Sequence, residues 1–374
     1  MTSIVDTIFN YISFINIDTN ILLLIAIVVP GLILFILMAL NVMLSVYFER
    51  KVAAFMQDRL GPMEVGIFGF KGGKKFWGGI GQIFADTVKL LTKEDIMPAN
   101  ADKVLMLISP FIIVTGALLT FIGIPFTDGL IVSDFNIGIL YVVAMSSVGV
   151  IGVILAGWSS NNKWSLYGAM RSAAQIISYE IPIGLTLLLV VIVCGSLQVS
   201  EIVAWQSENR WFILHSPFTF IAFFIFYISV VAETNRTPFD IPEAESELVA
   251  GWMTEFSGFK WSIFFMSEYA NMLIVSLVAS IVFLGGWLSP FTIFNIFPNS
   301  WLIFDGFYWG IFWLLIKAIF LVFVMMWFRW TFPRLRVDQL MYTCWKVFIP
   351  FSLANLFLVT IWELVFNYIR GLFL

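Results

Sequence analysis

The sequence has 374 residues, of which 60% are apolar and 12% are charged, with 40 Phe, 15 Trp and a net charge of −4. Its mean hydropathy is +0.96, which excludes a water-soluble domain, because one domain of this size cannot bury nearly every helix on all sides. Two distant cysteines, Cys194 and Cys344, and a single histidine, His215, support neither a disulfide framework, a zinc or iron–sulfur site, nor a haem held by paired histidines. We therefore expect an all-α, polytopic membrane protein.

Apolar runs of about 20 residues mark the candidate membrane spans. The first run, Ile21 to Val46, is too long for the apolar part of a signal peptide and follows no basic segment, so it predicts a retained helix. Charges and turn residues divide the chain into about eight transmembrane helices, at 22–47, 104–125, 138–157, 178–197, 213–232, 261–284, 308–328 and 346–366. The fifth is the weakest, because Ser216 and Pro217 interrupt its start. We find no internal repeat or linker, and residues 1–374 are treated as one domain.

The distribution of positive charge predicts the orientation of these spans. The connections after spans 1, 3, 5 and 7 contain 17 of the 20 lysines and arginines. Because lysine and arginine accumulate in cytoplasmic connections, these four connections are predicted to be cytoplasmic. An even number of spans then places both termini outside the cytoplasm.

The first of these connections, residues 48–102, contains a helical pattern of its own. Apolar residues recur at spacings of three to four, and charged residues fall on the other flank: Phe76, Ile80, Phe84, Val88 and Leu91 against Asp86, Lys89 and Lys93. This pattern predicts an amphipathic cytoplasmic helix that lies in the membrane interface or against partner helices.

Five ionisable residues fall inside or at the ends of predicted spans: Glu49, Glu180, Glu233, Glu268 and Lys317. Charged side chains are costly within a bilayer, so each is a candidate functional residue. The structural alternatives differ. Glu49 and Glu233 could be interfacial, whereas Glu268 and Lys317 lie deeper and could form one structural ion pair.

The acidic segment, residues 232–256, contains six carboxylates and one cation, Arg236. Asp240 and Glu243, with Pro242 between them, match a helix capping box, which accounts for two of the acids. Glu233 closes a predicted span and could be interfacial, which leaves three acids unexplained, namely Glu245, Glu247 and Glu255. Carboxylates in a poorly hydrated site have raised, coupled pKa values, so this set can exchange protons near neutral pH or bind a cation.

Several stretches of this sequence together resemble one family. Residues 233–248, ETNRTPFDIPEAESEL, resemble the signature of the H subunit of the proton-translocating NADH:quinone oxidoreductase, respiratory complex I, also called the NADH dehydrogenase subunit 1 family. Further agreements occur in the family's order, at Glu49-Arg-Lys, Arg59-Leu-Gly-Pro, Phe84-Ala-Asp, Ser160-Asn-Asn-Lys, Ser178-Tyr-Glu-Ile-Pro and Phe332-Pro-Arg-Leu-Arg-Val-Asp-Gln-Leu. The resemblance extends from Glu49 to about Pro350.

The sequence departs from the family's pattern in its first connection. Ile67 and Ile83 stand where the family usually has proline, and about ten residues around Lys71–Phe76 look inserted. The conformation of this loop is therefore not implied by the resemblance.

The resemblance implies a subunit that carries no redox cofactor and takes quinone as substrate, with FMN and iron–sulfur clusters in partner subunits. With two peripheral-arm subunits it would form the quinone chamber, whose charged lining is implied to include Arg50, Arg59, Asp86, Arg236, Asp240, Arg334 and Arg336. The proton-coupling residues leading from that chamber are implied to be Glu180, Glu233, Glu243, Glu245, Glu247, Glu255, Glu268 and, as a charge partner, Lys317.

The implied function is that quinone reduction alters charge in the chamber, and that the carboxylates pass this change to antiporter-like membrane subunits. The implied location is the bacterial cytoplasmic membrane. Two alternatives use the same residues: the membrane subunit of a related membrane-bound hydrogenase, and a stand-alone cation transporter. A membrane scaffold without chemistry is a further alternative, which the buried carboxylates disfavour.

Overall fold

A computed structural model describes residues 19–66, 78–242, 245–291 and 306–373 of the chain. In these residues the regular structure is helical, apart from an isolated bridge between Thr127 and Leu130. The predicted all-α class is confirmed. The inserted stretch Lys71–Phe76, together with Ile67, lies outside the described residues.

The helices are numbered here in chain order. They are α1 (Thr19–Met56), α2 (Gly81–Thr92), α3 (Lys103–Ile122), α4 (Gly138–Ser159), α5 (Lys163–Cys194), α6 (Val199–Glu208), α7 (Phe212–His215), α8 (Pro217–Glu233), α9 (Glu245–Leu248), α10 (Gly258–Phe283), α11 (Phe307–Thr331), α12 (Val337–Tyr342) and α13 (Ile349–Phe373). A single 3₁₀ turn, Gly251–Met253, precedes α10, and a π-helical turn, Thr343–Phe348, joins α12 to α13.

Seven helical segments in the described residues are long and apolar enough to cross a membrane. They coincide with seven of the eight predicted spans. The predicted fifth span corresponds to α8, which is apolar but has 17 residues. A helix of that length extends roughly 26 Å, a little less than the hydrocarbon core of about 30 Å. The protein is therefore a multi-pass membrane protein, and the count of eight spans stays a prediction.

The predicted fourth span begins much earlier than expected. Helix α5 starts at Lys163, where the Asn162 side chain accepts a hydrogen bond from the Trp164 amide, rather than at residue 178. Its first half contains buried polar residues, Ser165, Ser172 and Gln175. A search for apolar runs misses these turns, because their polar side chains face the interior of the protein and not lipid.

The amphipathic helix is present as α2. Phe84, Val88 and Leu91 are each more than half exposed on one face, as the pattern predicted. The other face is tied to α1, where Arg50 Nη1 lies 2.5 Å from Asp86 Oδ2. The cytoplasmic location of α2 stays a prediction, and Phe76 lies outside the described residues.

Helix α10 lies at the centre of the bundle and packs against α1, α3 and α11. We call the end of the bundle where α1, α8 and α11 finish and α10 begins the loop end. The acidic segment crosses this end, from the last residues of α8 through α9 and the 3₁₀ turn to α10. The fold thus brings the acidic segment next to buried side chains of α1, α10 and α11.

Candidate functional site

A buried carboxylate, Glu49, is the centre of an ionic network at the loop end. Its side chain lies near the end of α1 and is 7% exposed. It accepts hydrogen bonds from Arg236 Nη1 at 3.2 Å and from the Tyr269 hydroxyl at 2.6 Å. The Arg329 guanidinium of α11 also donates to it. Two cations around one carboxylate balance part of the cost of burying these charges.

Arg236 connects Glu49 to a second buried carboxylate. Its Nε atom lies 3.1 Å from Glu268 Oε1, and its guanidinium lies 4.3 Å from the ring centre of Tyr269. Burial by itself lowers the pKa of Arg236, but Glu268 and Glu49 raise it well above its usual value. Arg236 therefore stays positively charged and is shared by carboxylates from α1 and α10.

Two carboxylate oxygens of this region are buried without a hydrogen-bond partner among the described residues. They are Glu268 Oε2 and Asp240 Oδ1. An unpartnered buried oxygen is unfavourable for an ionised carboxylate, and it is a position that a proton can occupy. The network can therefore exist in more than one protonation state.

Asp240 extends the network toward the surface. Its Oδ2 atom lies 3.0 Å from Arg334 Nη2, and the Arg334 side chain is 43% exposed. Burial raises the pKa of Asp240, although Arg334, Arg329 and Arg236 oppose this shift. Asp240 is consequently easier to protonate than an ordinary aspartate, and it lies between an exposed arginine and the buried network.

The structure brings together some of the residues predicted to line a quinone chamber. Arg236, Asp240 and Arg334 belong to one region, whereas Arg50 and Asp86 form a separate pair between α1 and α2. Gln82 Nε2 donates to Asp86 at 2.8 Å and fixes the carboxylate within α2. The other two predicted residues occupy exposed positions, namely Arg59 and Arg336.

The predicted proton-coupling acids do not form one cluster. Glu268 contacts Arg236, whereas Glu180 and Glu233 form a second group in which the two charges lie close enough to interact. Four others belong to the acidic segment beyond Asp240, namely Glu243, Glu245, Glu247 and Glu255.

The acids of the acidic segment differ in environment. Glu247 Oε2 lies 2.7 Å from Arg171 Nη1 and its side chain is 59% exposed, and Glu255 accepts a 2.6 Å hydrogen bond from the Asn162 amide. Glu245 begins the short helix α9. Glu243 lies outside the described residues, so the predicted capping box with Asp240 stays a prediction.

The prediction that Glu268 and Lys317 form an ion pair is wrong. Lys317 Nζ donates instead to three backbone carbonyls beyond the far end of α10, at 2.7–2.8 Å, and lies 4.1 Å from the ring centre of Trp211. The three acceptors belong to Leu284, Gly286 and Leu288. Sixteen residues separate Glu268 from the first of these acceptors, which corresponds to roughly 24 Å of helix. The positions of Glu268 and Lys317 in two different spans therefore did not predict the distance between the two side chains.

Sequence reasoning missed two residues of the network and undervalued a third. Arg329 is one of many lysines and arginines in the predicted connections, and Tyr269 has no distinguishing pattern beyond its position next to Glu268. Glu49 was recognised as ionisable but also explained as interfacial. The first predicted span ends at residue 47, but its helix continues to Met56, so Glu49 lies within the helix and not at its end.

The fold and these buried charges define a class, an all-α polytopic membrane protein with ionisable groups assembled in its interior. In the described residues no group of three or more His, Cys, Asp or Glu side chains is arranged to hold a metal ion. The chain belongs to the NADH dehydrogenase family, whose model matches residues 29–360.

Relatives from three bacteria support this membership. The chain is 50% identical over 323 residues to the H subunit of the NADH-quinone oxidoreductase of Chlorobaculum tepidum, covering 85% of this chain and 87% of that protein. It is 46% identical over 342 residues to the protein of the same name from Bacteroides fragilis, covering 89% and 90%. The corresponding protein of Magnetococcus marinus is 46% identical over 311 residues, covering 83% of each chain.

Proposed function

We propose that this chain is the membrane subunit of NADH:quinone oxidoreductase that forms the quinone chamber with peripheral-arm subunits and couples quinone reduction to proton translocation. The observation that carries the coupling role is the buried network in which Arg236 joins Glu49 and Glu268. Two unpartnered carboxylate oxygens nearby, on Glu268 and Asp240, support it.

The chamber would be completed by partner subunits at the loop end. Reduction of a quinone to a quinol takes two electrons and two protons, and the electrons would come from the FMN and iron–sulfur clusters of the partners. The charged lining would consist of Arg50, Arg59, Asp86, Arg236, Asp240, Arg334 and Arg336. The exposure of Arg334 and Arg50 supports this assignment, because an exposed arginine can contact a ligand or a partner.

Coupling would begin at Asp240. A change of charge or a demand for protons beside Arg334 changes the free energy of protonating Asp240, whose pKa burial already raises. The charges of Arg236 and Arg329 interact with Asp240 and also with Glu49 and Glu268. Protonation of Asp240 therefore alters the relative protonation of Glu49 and Glu268. Such a change requires only a small movement of Arg236, because its guanidinium already contacts both carboxylates.

The remaining acids would carry the change onward into the membrane arm. We assign this role to Glu180, Glu233, Glu243, Glu245, Glu247, Glu255 and Glu268. The interaction between the charges of Glu180 and Glu233 supports it, since protonating one favours ionisation of the other. We include Lys317 as the positive charge of this set, and its ammonium group donates to three backbone carbonyls.

We further propose that the protein lies in the bacterial cytoplasmic membrane with both termini outside the cytoplasm. The strong bias of lysine and arginine toward alternate connections supports this orientation. The loop end would then face the cytoplasm, where peripheral-arm subunits bind, and antiporter-like subunits would lie beside the spans within the membrane.

The test of coupling is Glu268→Gln in the assembled complex, because this change removes the ionisable group and leaves Arg236 its contact with Glu49. We expect quinone reduction or the associated proton pumping to fall about tenfold, the size of a typical coupling energy. The matched control is Glu208→Gln, at an exposed position at the end of α6. Normal turnover and normal pumping in the Glu268→Gln complex would refute the proposal.

A stand-alone cation transporter is disfavoured by the same contacts. Arg236 and Arg329 already neutralise Glu49 and Glu268, so these carboxylates are poorly suited to bind a metal cation. Migration within a large assembly in mild-detergent native electrophoresis separates a complex subunit from a lone transporter. Sensitivity of the membrane activity to quinone-site inhibitors separates it from the membrane subunit of a hydrogenase.

A further inference from the structure

One face of the first half of α5 forms a polar track under the acidic segment. The Ser165 hydroxyl donates to the Trp252 carbonyl at 3.1 Å, and the Asn235 amide donates to the Ser172 hydroxyl at 3.1 Å. Gly168 lies so close to Gly251 that an added Cβ would come within 2.7 Å of its Cα. Residues spaced by three and four lie on one face of a helix; those that contact the acidic segment are Ser165, Gly168, Ser172, Gln175 and Tyr179.

Gln175 makes the contacts that bracket Arg236. Its side chain is buried, and its Nε2 atom donates to the carbonyls of Ala232 and Phe239, each at 2.8 Å. A glutamine amide has two N–H donors, and both are used here. The two acceptors lie on either side of Arg236 in the sequence, so one side chain closes the loop that carries this arginine.

The position of Arg236 depends on this closure. Its guanidinium is within 3.1–3.2 Å of one oxygen of Glu268 and one of Glu49. These two carboxylates belong to α10 and α1, and neither contact fixes the backbone that presents the arginine. Opening the loop by about 1 Å would weaken both contacts, because the hydrogen bond to Glu49 weakens steeply beyond its usual length and the ion pair with Glu268 weakens with distance.

We propose that Gln175 is a positioning residue that holds the loop from Ala232 to Phe239 so that Arg236 is shared between Glu49 and Glu268. Its effect on the loop is a property of the fold alone. Its effect on quinone reduction rests on the proposed function of the Arg236 network. Hydrogen exchange measures the first effect, and turnover measures the second.

The experiment uses Gln175→Met in the assembled complex, because methionine has nearly the same size and no N–H donor. Gln206→Met is the matched control. Gln206 is also buried and also bonds backbone groups, donating to the Ile281 carbonyl at 2.8 Å and accepting from the Gly285 amide at 2.9 Å, but it lies at the other end of α10. Hydrogen exchange of the 232–239 peptides and quinone reduction are measured for both variants.

We expect Gln175→Met to accelerate exchange at 232–239 about tenfold, the effect of losing the bonds of one buried amide. Turnover should fall, and Gln206→Met should change neither exchange at 232–239 nor turnover. A second variant, Gln175→Glu, adds a pH profile. A protonated glutamic acid donates one hydrogen bond and an ionised one donates none, so its turnover relative to the unmodified protein should decrease as pH rises.

The outcomes separate the two claims. Unchanged exchange at 232–239 in Gln175→Met overturns the positioning role. Faster exchange with unchanged turnover and pumping establishes the positioning role and refutes the proposed function of the Arg236 network. If Gln175→Met does not assemble, Gln175→Asn gives the same test, because its shorter side chain keeps the polarity but cannot reach both carbonyls.

Discussion

Buried cations lie at the two ends of α10, and their partners differ in kind. At the loop end, Arg236 contacts two carboxylates, Glu49 and Glu268. At the other end, Lys317 donates to three backbone carbonyls and lies over the Trp211 ring. Carbonyl oxygens cannot take up a proton at any physiological pH, whereas carboxylates can. The partners of the cation therefore cannot change their charge at one end of the helix, and they can at the other.

The two cations also differ in whether stability of the fold by itself explains their contacts. Lys317 places three donors at carbonyls beyond the C-terminal end of α10, which is the negative end of the helix dipole. That arrangement stabilises a helix end by a rule found in many proteins. No comparable rule requires Glu268 and Glu49 to share an arginine inside a membrane protein, and a function in proton coupling gives a reason for it.

The largest expected effect is that of Arg236→Met, because it leaves Glu49 and Glu268 buried with less compensation. Removing one partner of a buried ion pair costs about 3–5 kcal/mol. We expect a lower melting temperature of the assembled complex or a loss of assembly. Adding Glu268→Gln to Arg236→Met should restore part of the stability, because it removes one of the uncompensated charges. No restoration in the double variant would show that Arg236 acts mainly through packing.

A smaller effect is expected for Lys317→Met, which leaves three carbonyls without their donor at a cost of about 2–3 kcal/mol. The matched control is Lys346→Met at an exposed position beside Tyr342. The melting temperature should fall only for Lys317→Met. An equal fall in both variants would contradict the assignment of this stability to the three carbonyl contacts of Lys317.

The smallest effect concerns Asp240→Asn and the pH dependence of stability. Burial raises the pKa of Asp240 in the folded protein, whereas in the unfolded chain it is about 3.9. The folded state therefore binds more protons than the unfolded state in the interval above that value, and its stability decreases as pH rises through the folded pKa.

The asparagine side chain of the Asp240→Asn variant does not titrate, so the unmodified protein should lose stability relative to this variant as pH rises. Melting temperatures of the two complexes across this interval measure the difference, and groups that titrate equally in both cancel. A difference that grows in the opposite direction would mean that Arg334 outweighs burial and that Asp240 is held ionised.

Local features of the sequence predicted most of the fold. The apolar runs placed seven helices, and the helical spacing of Phe84, Val88 and Leu91 placed α2. Prediction failed where polar residues face the interior, as in the first half of α5, because hydropathy measures the side chain and not its surroundings. It was weakest at α8, whose start is interrupted by Pro217.

Part of the candidate site was also predictable. Arg236, Asp240 and Glu268 were selected from charge in an apolar setting and from a family resemblance. Arg329, Tyr269 and Gln175 were not selected, because an arginine at a span end, a tyrosine in a span and a glutamine near a span start are common in membrane proteins. Their importance lies in what they contact.

The sequence by itself determined that this chain is a multi-pass membrane protein with an unusual acidic segment, because the cost of exposing charge to lipid depends on each residue and its neighbours in the chain. Only the tertiary structure decided which charges meet. Glu49 and Arg236 are 187 residues apart, and Glu49 and Arg329 are 280 apart. Contacts at such separations follow from how helices pack, and the same packing gave Lys317 backbone carbonyls instead of the carboxylate expected for it.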